Sequence, residues 1–125
     1  MTSKAIHTLL AEWQRRLRVQ DWRLELKIVR LVDFGDTTTL GLCEAWNAKK
    51  SAIIKILDPQ DHQETGKLDE SLEVVIVHEL LHLVFPHNGL RIPVNLKDAR
   101  YCAYEQGIDI TARALVDAKY GRQAR

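Results

Sequence analysis

Cysteine is scarce in this chain: Cys43 and Cys102 are the only two in 125 residues, and they lie far apart. That count excludes a small disulfide-stapled scaffold. Both are expected as free thiols of a reducing compartment. Long apolar runs are also lacking. No stretch approaches the ~18 residues that span a bilayer. The N-terminal MTSKAIHTLLAEWQRR has no signal-peptide core, so a cytoplasmic protein with no membrane partner is expected. An excess of charge is missing too. The 18 Lys and Arg balance 17 Asp and Glu to a net +1, which gives no electrostatic ground for nucleic acid as the main partner. Repeats and low-complexity tracts are absent. What remains is 46% hydrophobic and 28% charged, the proportions of an ordinary globular protein. The length suits a single domain over 1–125, long enough to bury a core without staples.

Periodicity organises the chain. Ile6, Leu9, Leu10, Trp13 and Leu17 recur at three- and four-residue steps, which predicts an amphipathic helix over 4–18. Thr2 or Ser3 is its candidate cap. Strict alternation follows from Trp22 to Ile28 and slips at Val29, as a strand ending or bulging there would do. Residues 40–46 and 51–57 read as two further strands joined by Asn47–Lys50, a hairpin-length loop. Pro59 stops the second of them. The polar run 58–68, which holds His62, reads as a loop. Asp69 is the candidate cap of a nearly all-apolar helix ending before Pro86, and such a helix crosses the middle of a protein. A last helix spans 98–120, with Gly121 at its C-terminus. The expected class is α+β: an N-terminal helix, a three-stranded sheet and two C-terminal helices.

Inside the buried helix stands His78-Glu79-Leu80-Leu81-His82, an HExxH motif. Residues i and i+4 share one helical face, so both imidazoles converge on a single ion. Glu79 lies about 100° further round, beyond easy ligation but within reach of a water on that ion, where a general base is needed. Residue frequencies alone give roughly 0.01 such motif in a chain of this length. Two histidines and a glutamate in an apolar helix are also costly to bury without partners. A third protein ligand is needed for a catalytic zinc. One candidate is His87, one place too early for the HExxHxxGxxH pattern, whose last two fixed positions hold Phe85 and Asn88 here. The other is Glu105, which opens an ExxxD motif with Asp109 on the last helix. There Glu105 can ligate while Asp109 accepts from a histidine ligand's other nitrogen. Tyr104, Ile108 and Leu115 form the apolar stripe of that helix.

HELLH followed by EQGID resembles the gluzincin branch of the zincin metallopeptidases, and the small size resembles metallopeptidase-like proteins of bacteria and phages. The motifs cover residues 78–109 and the element order roughly 22–120. The resemblance implies a minimal zincin-like domain in which His78, His82 and Glu105 bind Zn²⁺, Glu79 is catalytic and Asp109 supports a ligand. It also implies that Ser51–Leu57 is the edge strand over the cleft, open to a peptide. Gluzincins add a Tyr or His that stabilises the oxyanion, and Tyr101, one turn before Glu105, is the candidate. Gly107 inside a helix costs about 1 kcal/mol against alanine; close approach of the two site helices would explain it, but the sequence alone does not show that. The expected activity is hydrolysis of a peptide or protein substrate by a zinc metalloprotease. The rival readings are a zincin-fold binding or regulatory module with structural zinc, and a DNA-associated protease or nucleic-acid binder working through Arg15, Arg16 and Arg18.

Overall fold

A computed structural model describes residues 2–34, 40–61, 71–87 and 89–122. Helix α1 (Ser3–Arg16) starts where the Thr2 hydroxyl accepts from the Ala5 amide at 3.1 Å, and it buries Ile6, Leu10 and Trp13. Arg16, at its end, is held by Glu12 at 2.7 Å and lies over the Trp13 ring. Strand β1 (Arg23–Val29) ends where the alternation slips. A short helix not foreseen from the sequence, α2 (Leu31–Phe34), follows it. Asp61 fixes this helix by accepting from the Leu31 amide and from Nε and Nη2 of Arg30. Strands β2 (Gly41–Trp46) and β3 (Ser51–Leu57) are antiparallel across a 3-10 turn at Asn47–Lys49.

The sheet order is β1-β3-β2, with β1 parallel to β3. This corrects the expectation for Ser51–Leu57. It is the central strand, paired on both sides from Arg23↔Ser51 to Val29↔Leu57 and from Gly41↔Ile56 to Trp46↔Ser51. The physical reason lies in its composition: Ala52, Ile54, Ile56 and Leu57 are all buried, which suits a strand with neighbours on both edges. The edge strand beside the cleft is β2.

Helix α3 (Leu72–Val84) touches α1, α4, β2 and β3. Nine of its residues are buried, among them Ile76, Val77 and Leu80 at 0% exposure. Each such side chain contributes roughly 1.5–3 kcal/mol. Ser71, rather than Asp69, caps it by accepting from the Val74 amide at 3.4 Å; Asp69 and His62 lie outside the described residues. Helix α4 (Ala99–Lys119) is capped by Asp98, and Gly121, just beyond it, takes a left-handed φ of 67°. Gly107 lies within α4. A Cβ there would meet nothing within 4 Å, so close packing does not explain it, and nothing else in the structure does. Among the described residues no helix is long and apolar enough to cross a membrane.

Candidate metal centre

One turn of α3 separates His78 from His82, and both rings emerge on the face that meets α4, with centroids 5.3 Å apart. Glu105 on α4 reaches between them. Its Oε2 stands 3.3 Å from His78 Nε2 and its Oε1 stands 3.4 Å from His82 Nε2. One ligand atom from each of the three residues can be chosen so that all lie within 4.8 Å of one another. Donors held about 2.0–2.1 Å from one tetrahedral zinc stand roughly 3.3–3.4 Å apart, so a small inward adjustment of the three side chains would bring them to that spacing. Two imidazole nitrogens and a carboxylate oxygen also form a donor set suited to zinc.

The other ring nitrogens have partners as well. His78 Nδ1 faces Asp109 Oδ1 at 3.5 Å, and Asp109 is itself held by Arg113 Nε at 2.9 Å. His82 Nδ1 lies 2.9 Å from the Tyr104 hydroxyl. Metal-binding histidines normally have this arrangement, with one nitrogen inward and the other anchored.

Glu79 is only 6% exposed, and among the described residues no hydrogen-bond donor reaches its carboxylate. It is pressed against β2. A Cβ on Gly41 would stand 3.0 Å from both Glu79 Cγ and Glu79 Oε2, and 2.8 Å from Val75 Cγ1. Burial pushes the Glu79 carboxyl up to about 7; the His78 charge opposes this and the Glu105 charge adds to it. Burial pulls His82 down to about 4, against the pull of Glu105 and with help from His78 and His87. Burial also pulls on His78, but Glu105, Glu79 and Asp109 together carry it above its ordinary value. Glu105 resists its own burial and stays below the usual carboxylate range because His78 and His82 surround it.

These groups floor a cavity of about 290 Å³. Gly41, Leu42, Cys43 and Ala45 of β2 form one wall; Pro86, His87, Ile92, Pro93 and Val94 form the other. Tyr101 lines the cavity beside Glu105. His87 reaches the cavity, but the ligating cluster among the described residues contains only His78, His82 and Glu105. Asn88 lies outside the described residues. The sequence reading missed two residues. Tyr104 looked like part of an apolar stripe, and its ring does pack on the core while its hydroxyl touches His82. Gly41 carried a usable signal, because an isolated glycine in a strand pattern marks close approach of another group.

No family model, curated protein or solved structure matches this chain.

Proposed function

We propose that the chain is a zinc-dependent peptide hydrolase of gluzincin type, with His78, His82 and Glu105 as the zinc ligands. One observation carries the reading: a buried glutamate with no hydrogen-bond donor among the described residues stands directly beside three convergent candidate ligands at the floor of an open cavity. A structural metal site has no use for such a group, since burying an unsatisfied carboxylate is costly. Zinc, when bound there, supplies Lewis acidity and makes a water molecule a nucleophile near neutral pH.

The chain's own residues do the rest. Glu79 accepts the proton of the attacking water and returns it to the leaving nitrogen. Without an ion, burial raises this carboxyl to about 7, and a cation beside it would draw it down toward the base form. Tyr101 faces the cavity from α4 and donates to the carbonyl oxygen as charge develops on it. The peptide class follows from the resemblance and from β2. That strand is last in the sheet, so its outer edge offers backbone donors and acceptors to an extended chain lying over the cavity.

The test compares wild type with Glu79→Gln on a broad peptide library near pH 7, with zinc measured in both samples. The variant should keep its fold and its zinc and lose turnover by at least 100-fold, the lower range for a general base. Equal cleavage by the two proteins contradicts the mechanism.

A further inference from the structure

The Tyr104 hydroxyl has two neighbours. It lies 2.9 Å from His82 Nδ1, and it donates a hydrogen bond to the backbone carbonyl of Phe85. A hydroxyl carries one proton, and a carbonyl can only accept. With that proton committed to Phe85, the hydroxyl turns a lone pair toward His82. Nδ1 must then be the protonated nitrogen of the ring. Nε2 is left bare, and Nε2 is the atom that faces Glu105 at 3.4 Å. The Phe85 carbonyl belongs to the C-cap of α3, so the end of that helix holds the hydroxyl in orientation.

We infer that Tyr104 is a positioning residue for His82: its hydroxyl, oriented by the Phe85 carbonyl, fixes the His82 tautomer that leaves Nε2 free for a metal ion. This rests on the metal centre proposed above. It assigns the two histidines different anchors, a carboxylate for His78 and a neutral phenol for His82. It also ties the ion to the cavity wall, because Phe85 leads directly into Pro86 and His87.

The test uses Tyr104→Phe, which keeps the ring that packs on the core and removes only the hydroxyl. Zinc affinity is read by competition with a chromophoric chelator, alongside wild type and His78→Ala. The zinc dissociation constant of the Tyr104→Phe protein should rise about 10–100-fold, as loss of a ligand's anchor typically causes. The metal-free proteins should melt at similar temperatures, whereas the gain in melting temperature on adding zinc should shrink. A purely structural role would lower both melting temperatures together and leave zinc affinity unchanged. Long-range proton–nitrogen NMR on metal-free wild type gives a readout that needs no variant, and His82 should appear as the Nδ1–H tautomer. If His78→Ala loses zinc while Tyr104→Phe binds as tightly as wild type, this inference alone is overturned. An Nε2–H tautomer in wild type overturns it as well. If wild type and His78→Ala bind zinc equally, the metal centre fails and the inference fails with it.

Discussion

A missing methyl group decides how closely β2 approaches α3. At Gly41 the strand backbone lies against Val75 and Glu79 with no space for a Cβ, whose nearest neighbour would be Val75 Cγ1 at 2.8 Å. Val75 is β-branched and 5% exposed, so it cannot swing aside. Gly41→Ala should therefore cost about 1–3 kcal/mol, the usual range for overpacking, and urea unfolding measures it. Zinc content should stay unchanged, because the three atoms nearest the new methyl belong to Val75 and Glu79 and not to a ligand. Turnover should fall with little change in KM, because the displaced group is the Glu79 carboxylate. At this scale the motif residues were legible because chemistry fixes both their identity and their spacing. Tyr104 was not, because one side chain serves the core through its ring and a histidine through its hydroxyl, and periodicity registers only the ring.

Helix α3 carries two buried carboxylates, and the structure treats them in opposite ways. Glu79 has no donor. Glu73, six residues earlier, accepts from Trp13 Nε1 at 2.6 Å, from Lys119 Nζ at 2.6 Å and from the Tyr120 hydroxyl. That network joins α1, the first turn of α3 and the end of α4, and Lys119 extends it to Glu12 at 3.0 Å. Burial pushes the Glu73 carboxyl up, but Lys119, Tyr120 and Trp13 together hold it below the ordinary carboxylate range. A depressed carboxylate binds fewer protons folded than unfolded. Its stabilisation is complete above the unfolded value of about 4.3 and is lost as pH falls through the folded value. Glu73→Gln should thus cost about 2 kcal/mol at pH 7, the scale of hydrogen bonds to a charged group. The difference from wild type should shrink as pH falls toward 3. Thermal unfolding at a series of pH values checks this, and a cost independent of pH would contradict it. The sequence showed that α3 is buried but not which of its acids has partners, since those partners come from residues 60 and 46 positions away.

For the molecule as a whole, element order and class were legible because alternation in β1, threefold-fourfold spacing in α1 and the apolar run of α3 are local signals. Strand order was not local. The placement of β3 between β1 and β2 depends on a parallel pairing across an intervening strand, and no turn chemistry announces it. Helix α2 escaped notice for a related reason: its anchor, Asp61, lies 30 residues downstream of Leu31. The candidate centre combines both cases. HExxH is local to α3, while its convergence with Glu105 depends on how α4 packs against that helix. Elemental analysis of protein purified without chelator tests that convergence most directly. One equivalent of zinc per chain is predicted in wild type and in His87→Ala, and almost none in His78→Ala, His82→Ala or Glu105→Ala. Zinc retained equally in all five proteins, or lost with His87 and kept without Glu105, would contradict the assigned centre.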